Sequence, residues 1–394
     1  MLNNITVLDL TNVLAGPFCC FQLSQMGAKV IKIERPQTGD LARQLGSDEE
    51  LSAMNMGVSF LAQNAGKKSI TLNLKTKTGI EILNKLVKKS DVLVENFRPG
   101  IMKKLGIDYT ALKKVNPNLI FCSISGFGQH GPLCEKPAYD QIIQGISGVM
   151  SITGRQQDGP MRAGYPLADT IGGLTASMAI CAALNQQPRG CNIDISMLES
   201  VLSTMGWAVS NYLIGGVNPS QNGNENMTSS PSGTFETQKG LLNISANEES
   251  QWQKLVSCLK RSDLLKDYRF STRKMRKRNR TALKEQIEKV LKTKPAIFWE
   301  AKLSSAGVPC GLVMSIPEII KHEQITSQNF TTKLKTKNTI GRDIEVMRSA
   351  ARTKTSKPQP ITPPPKLGED TFAVLEELGY EKKIIETFMK QGVL

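Results

Sequence analysis

The sequence predicts an α/β protein, with a large Rossmann-like domain built on a mostly parallel sheet and a smaller α+β domain. Three observations carry this. Short apolar runs alternate with helical patterns of about 10–15 residues through the first 200 positions, which calls for right-handed crossovers between parallel strands. The composition then changes to a turn-rich stretch at 215–224. Beyond it, a hairpin pattern is followed by amphipathic helix patterns.

The elements follow in order. Residues 5–10 read as a buried strand, 18–26 as a helix ended by Gly27, and 29–33 as the next strand. Residues 69–74 alternate as a strand, and 79–89 place Ile80, Leu83, Leu86 and Val87 on one helical face. Strands at 91–94 and 119–125 and a small-residue helix at 173–184 complete this half. Residues 233–246 read as a hairpin around Gln238-Lys239-Gly240, with helices at 248–260 and 281–293. Residues 356–365 hold five prolines and read as an extended return crossing; helices follow at 371–378 and 382–390. The predicted divisions are a large domain over 1–200, a linker over 201–230, a small domain over 231–325, and a return linker with C-terminal helices over 326–394.

Composition narrows the function. A 40% hydrophobic, 22% charged chain of 394 residues buries a sizeable core. Only 5% aromatic residues argues against a base-stacking surface. No run of about 18 uninterrupted apolar residues predicts a membrane span. Met1-Leu2-Asn3-Asn4 leads straight into a strand with no leader pattern, so a cytoplasmic location is expected. A net charge of +15 favours anionic partners. Eight cysteines form no CxxC pair and only His130 and His322 accompany them, so reduced thiols are expected and no metal site. The basic run at 273–280 has no interleaved aromatics and leads into an amphipathic helix; it reads as a solvated helix entrance, with nucleic acid not expected as a partner.

Familiar nucleotide signatures are absent. One glycine, Gly16, follows the first strand where a dinucleotide fingerprint needs three. Gly66-Lys67-Lys68-Ser69 imitates the end of a phosphate-binding loop, but Leu61 stands where its first glycine belongs and a strand follows. Neither histidine is accompanied by the GxSxG elbow of a serine hydrolase.

Two segments carry candidate chemistry. In Tyr165-Pro166-Leu167-Ala168-Asp169-Thr170-Ile171-Gly172-Gly173, Asp169 stands where a strand-like segment gives way to a helix. It suits an N-cap, satisfying orphan N–H groups. It equally suits a carboxylate nucleophile at the mouth of a sheet, with small residues letting a ligand approach and the helix N-terminus keeping it ionised. Glu95-Asn96-Phe97-Arg98-Pro99-Gly100 follows a strand directly, where α/β sheets bind ligands, or else is an ordinary proline-terminated loop. Arg35 stands in the same relation to its strand, and Lys103, Lys104 and Lys136 add cations suited to phosphates.

Together these segments resemble the class III CoA-transferases, a superfamily that also holds formyl-CoA transferase, the carnitine and bile-acid CoA-transferases and α-methylacyl-CoA racemase. The resemblance rests on Val7-Leu8-Asp9-Leu10-Thr11 with Ala15-Gly16-Pro17, on Lys32-Ile33-Glu34-Arg35-Pro36 with Gly39-Asp40, and on the run from Lys68 to Lys75. It continues through Glu95–Gly100, Gly126-Phe127-Gly128, Asp194-Ile195-Ser196-Met197 and Leu367-Gly368-Glu369-Asp370-Thr371. It implies a transfer of CoA from an acyl-CoA donor to a carboxylic acid, with CoA as substrate and no permanently bound cofactor. Asp169 falls at the catalytic aspartate position, to form first a mixed anhydride and then a CoA thioester. Leu14, Arg35, Leu72, Asn73, Leu74, Lys75, Asn96, Phe97, Arg98, Lys104, Lys136, Tyr139 and Met197 fall at CoA-contacting or pocket positions. An interlocked homodimer is implied as well, with the stretches near 200–230 and 325–365 placed to form the ring.

Two departures refine the expectation. Formyl-CoA:oxalate transferases cover their site with four consecutive glycines, whereas the stretch 227–233 has only Gly233. The racemase branch has a histidine where this chain has Tyr139 before Asp140, so two-base proton exchange lacks a member and transfer is favoured over racemisation. The excess of cations suits an acceptor with a second carboxylate.

Overall fold

The computed structural model describes residues 1–351 and 361–394. The chain forms two compact units: Met1–Met150, Arg162–Val217 and Gln328–Leu394 make the first, and Ser151–Met161 with Asn218–Ser327 the second.

In the first unit, six parallel strands lie in the order β3-β2-β1-β4-β5-β6. They are β1 (Thr6–Asp9), β2 (Lys29–Glu34), β3 (Lys67–Thr71), β4 (Val92–Glu95), β5 (Ile120–Ser125) and β6 (Cys191–Ser196). This is the doubly wound order, whose direction of winding reverses between β1 and β4. The central strands read as continuous apolar runs because helices cover both faces. On one face Val7, Val30, Val92, Val94 and Ile120 pack with Cys19, Leu23, Ala176 and Ile180. On the other, Leu8, Ile31, Ile70, Leu93 and Phe121 pack with Ile82, Leu86, Val374 and Ile385.

Several element boundaries differ from the sequence-based expectation. Helix α1 (Ala15–Gln25) starts three residues before 18, with Gly16 and Pro17 in its first turn. A first turn tolerates proline, because its missing N–H has no intrahelical acceptor there. Gly16 is required by packing: a Cβ would come 2.3 Å from Thr11 Cγ2. Strand β3 ends at Thr71; Leu72 N then donates to Glu34 O and Asn73 N to Val393 O, turning the chain aside. The stretch from 201 to 213, expected as linker, is helical, in α4 (Met197–Thr204) and α5 (Gly206–Leu213). Its one breaker, Gly206, stands at their junction. Part of the expected return linker forms a hairpin, Thr331–Leu334 with Ile344–Met347. The prolines expected to cross back lie in part outside the described residues.

Helices α2 (Asp140–Ile146) and α3 (Leu167–Leu184) precede α4 and α5 in the chain. Helix α3 begins six residues before 173, and it is long and apolar enough to cross a membrane. It packs on α1, β5 and β6, and Ala168, Ala176 and Ile180 are buried there.

The second unit holds an antiparallel sheet of Ser232–Glu236, Leu241–Ser245 and Cys310–Leu312. Trp252, Leu255, Ile287 and Trp299 from its helices cover Phe235, Leu242 and Ile244. The basic run is not wholly solvated. Arg276 is 2% exposed, lies 2.7 Å from Glu249, and donates to the carbonyls of Ser230 and Phe270. Its guanidinium lies 5.2 Å over the Trp252 ring, so this cation belongs to the core.

Below the carboxyl ends of β1, β2 and β3 lies a buried charge network. Asp9 accepts from Lys67 Nζ at 2.8 Å and from the Thr11 N–H and hydroxyl. Lys32 Nζ reaches Thr11 O at 2.7 Å and Asp40 Oδ2 at 2.9 Å. Glu34 receives Arg43 at 2.7 and 2.8 Å, Ser69 Oγ at 2.6 Å and Asp40 N at 3.0 Å. Burial alone would raise the Asp9 carboxyl, but Lys32 and Lys67 outweigh it and hold the group at about 2. Asp9→Ala should therefore destabilise the protein by about 3–5 kcal/mol, since it leaves Lys67 buried and unpaired. Urea unfolding checks this, and the double change Asp9→Leu with Lys67→Met should recover part of the loss.

Candidate active site

The crevice at the strand-order reversal is framed by the loops after β1 and β4. Asn96 Oδ1 accepts from Asn12 N at 2.8 Å and its Nδ2 donates to Asn12 O at 2.9 Å, clamping one loop to the other. Val13 has φ 67°, a left-handed conformation that is costly for a β-branched residue. Its N–H donates to Asp40 Oδ1 at 2.9 Å, so the buried charge network holds the backbone that presents Leu14. Glu95 Oε2 accepts from Phe97 N at 2.8 Å and shapes the next loop. Burial pushes the Glu95 carboxyl up to about 7 against bonds from Ser123 and Phe97, and nearby Asp194 adds to the rise.

The sequence-predicted residues divide into two groups. Leu14, Arg35, Asn96, Phe97 and Arg98 follow the adjacent strands β1, β2 and β4, so the fold gathers them at one end of the sheet. Lys75, Lys104 and Lys136 also follow the carboxyl ends of strands. Arg35, Lys75, Arg98, Lys104 and Lys136 are all exposed. Among the described residues none of these five forms an ion pair. Asn96, by contrast, spends its side chain on Asn12. Leu72 lies in the core, and the Asn73 side chain bonds Gly392 O and Lys75 N. Leu74 packs against the same core, Met197 lies buried beside Gly172, and Tyr139 is 69% exposed at the start of α2.

Asp169 does not cap its helix. Pro166 is the N-cap residue, and Asp169 sits inside the first turn of α3. The cap is supplied from α2 instead: Asp140 Oδ1 accepts from Ala168 N at 2.8 Å and from Asp169 N at 3.4 Å. Among the described residues, the Asp169 carboxyl has no hydrogen-bond or ion-pair partner. Burial first, and the charge of Asp140 second, push it up to about 7. The helix N-terminus thus does not hold it ionised as expected, because the carboxyl accepts none of the orphan N–H bonds. The neighbouring glycines are close packing contacts. A Cβ on Gly173 would come 2.6 Å from Ala15 O, and one on Gly172 2.9 Å from Met197 Cγ. The roles of Asp40 and Gln144 escaped the sequence reading, since nothing local marks Asp40 as the partner of Lys32 and Val13 N or Gln144 as that of Asp140 and Ala163 N.

The sequence profile of CoA-transferase family III matches residues 2–371. A succinyl-CoA:glutarate CoA-transferase of Mus musculus is 33% identical, over 100% of this chain and 90% of its own length. A succinate–glutarate CoA-transferase of Agrobacterium fabrum is 35% identical, over 96% and 95%. An acetyl-CoA:oxalate CoA-transferase of Acetobacter aceti is 37% identical, over 84% and 85%. The crystal structure of a CAIB/BAIF family protein from Brucella suis superposes with a TM-score of 0.83 at 32% identity, over 95% of this chain and 98% of that one.

The raised Asp169 carboxyl has a stability consequence. Its folded value lies above the unfolded value of about 4, so the folded state binds the extra proton and stability falls as pH climbs from about 4 to about 7. Asp169→Asn cannot ionise. It should match wild type at pH 4 and exceed it at pH 8 by on the order of 1–2 kcal/mol, read by denaturant unfolding at both pH values.

Proposed function

The chain belongs to CoA-transferase family III, and we propose that Asp169 is the nucleophile through which it moves CoA from an acyl-CoA to a carboxylate acceptor. The observation that supports this is a largely buried, unpartnered carboxyl on the first turn of α3, with its proton affinity poised near neutrality. A carboxylate needs no general base to attack a thioester carbonyl. One Asp169 oxygen bonds to the acyl carbon, the carbon–sulfur bond breaks, and its electron pair leaves on the CoA thiolate. The thiolate attacks the aspartyl carbonyl of that anhydride and expels the donor acid, leaving an aspartyl-CoA thioester. The acceptor carboxylate then attacks this thioester, the thiolate returns to the new anhydride's acyl carbon, and Asp169 is released. Each step exchanges one activated acyl bond for another, so no permanently bound cofactor is needed.

The exposed Arg35, Lys75, Arg98, Lys104 and Lys136 supply charge for the phosphates of CoA. The acceptor is read as a dicarboxylate, since relatives are named for succinate with glutarate and with mesaconate. Racemisation is disfavoured, because Tyr139 supplies no imidazole. The working form is read as an interlocked homodimer. Trp207 and Leu213 on α5 and Ile214 beyond it are 79%, 73% and 87% exposed, and Leu174 and Met178 on α3 are exposed too, an apolar surface that a second copy would cover.

Incubation with succinyl-CoA and then hydroxylamine should modify the peptide containing Asp169. Asp169→Ala should lower transfer to glutarate by at least about a thousandfold and leave CoA affinity within about twofold. Because the ionised carboxyl attacks, the wild-type rate should rise with pH through about 7. An active alanine variant with no trapped adduct defeats the covalent route. Differently tagged dimers, mixed under native conditions, should not exchange subunits over hours; heterodimers within minutes contradict interlocking.

A further inference from the structure

Behind Asp169 stands a second carboxylate whose own position is fixed from three sides. Asp140 Oδ2 accepts from Gln144 Nε2 at 2.7 Å, one turn along α2, while its Oδ1 caps α3. Gln144 is fully buried and its amide is committed: Nε2 also reaches Tyr165 O at 3.3 Å, and Oε1 accepts from Ala163 N at 2.8 Å. Ala163, Tyr165, Ala168 and Asp169 are thereby tied to one helix turn of α2.

We propose that Asp140, oriented by Gln144, is a positioning residue for Asp169: it holds the first turn of α3 and keeps a fixed negative charge beside the nucleophile. The inference rests on Asp169 being the reacting carboxylate. Gln144 presents its donor to Asp140 Oδ2 while its acceptor is occupied by Ala163 N, so the amide is held in one orientation against Asp140. The elements packed on α3 are α1, α2, α4, β5 and β6. Their charged residues are Asp140, Glu199 on α4 and Asp194 on β6, and Asp194 is engaged by Gln129 N. Their thiols are Cys19, Cys20, Cys122 and Cys191; burial raises the last three, and Cys19 is raised by burial and neighbouring charge despite a bond from Cys20. Cys181 on α3 itself is raised by burial. No cation is carried by these elements, so nothing on them offsets Asp140. A carboxylate whose proton affinity is raised is also the stronger nucleophile once ionised.

Asp140→Asn removes the charge and keeps an acceptor for the helix cap. The acid limb of the transfer rate should move down by about one pH unit, and the rate on the plateau should fall roughly three- to tenfold. A substrate-free readout accompanies it. The stability gap between an Asp169→Asn variant and its parent opens with pH as Asp169 ionises only in the unfolded state, and it saturates at the folded-state titration of Asp169. In the Asp140→Asn background that saturation should come about one pH unit lower. The exchanged pair Asp140→Asn with Gln144→Glu restores a hydrogen bond between the two side chains but takes the charge off the residue that caps α3, and should keep part of the shift in the acid limb. A wild-type limb and saturation point in both Asp140 variants, with activity lost only in proportion to unfolded protein, would overturn the proposal. Because the stability gap needs no substrate, it decides the Asp140 pairing even if wild type yields no trapped adduct, a result that would count against the nucleophile alone.

Discussion

The Asp9 carboxylate, buried between two lysines, is the interaction on which the rest of the large unit depends. It joins three neighbouring strands: Asp9 lies at the end of β1, Lys32 within β2 and Lys67 at the start of β3. Lys67 also donates to Pro17 O in the first turn of α1, and Lys32 passes the constraint to Asp40. Asp40 in turn holds Val13 in its unfavourable conformation. Dry charges are expensive unless every partner is in place. Their arrangement therefore fixes the crevice loops more tightly than an apolar packing of equal volume, which tolerates sliding.

Three carboxyl groups show how environment separates roles. Asp9 lies between two cations and stays ionised. Among the described residues no cation contributes to the proton affinity of Glu95 or Asp169, and the two share a rise of similar size, so proton affinity alone does not distinguish them. Geometry does. Glu95 is closed off and accepts the Phe97 N–H, bracing a loop, while the Asp169 oxygens have no partner among the described residues. The separation of ion-pair partner, brace and uncommitted carboxyl follows from which neighbours each position brings near.

Much of the architecture was legible in the chain. Strands buried on both faces leave apolar runs, and the helices over Lys77–Lys88 and Lys382–Lys390 show clear one-sided patterns. Asp169 was singled out by its place where a strand-like segment gives way to a helix, its expected role by resemblance, and the cations after β2, β3, β4 and β5 by position. What was hidden depends on distant partners. Lys67 imitated a phosphate-binding lysine, but its partner Asp9 lies 58 residues away. Asn96 was assigned to ligand contact, but its amide pairs with Asn12, 84 residues earlier. The start of α3 was placed at Gly173, but Gly172 and Gly173 lie inside the helix and make close packing contacts. Arg276 sat among five other cations with nothing local to mark it as the one that the core would take.

The edge of the sheet carries a different consequence. Strand β3 is the outermost strand, and its free side is closed by the C-terminal segment: Ser69 N bonds Asp370 Oδ2, Thr71 N bonds Thr371 Oγ1, and Ser69 Oγ accepts from Gly368 N. The partners are about 300 residues apart in the chain. A ribosome adding roughly 5–20 residues per second takes about 15–60 s to deliver them. Throughout that interval the nascent chain carries an open strand edge, a template for pairing with its neighbours on a polysome. Synthesis of this protein is thus exposed to a hazard that the finished molecule no longer shows at this edge.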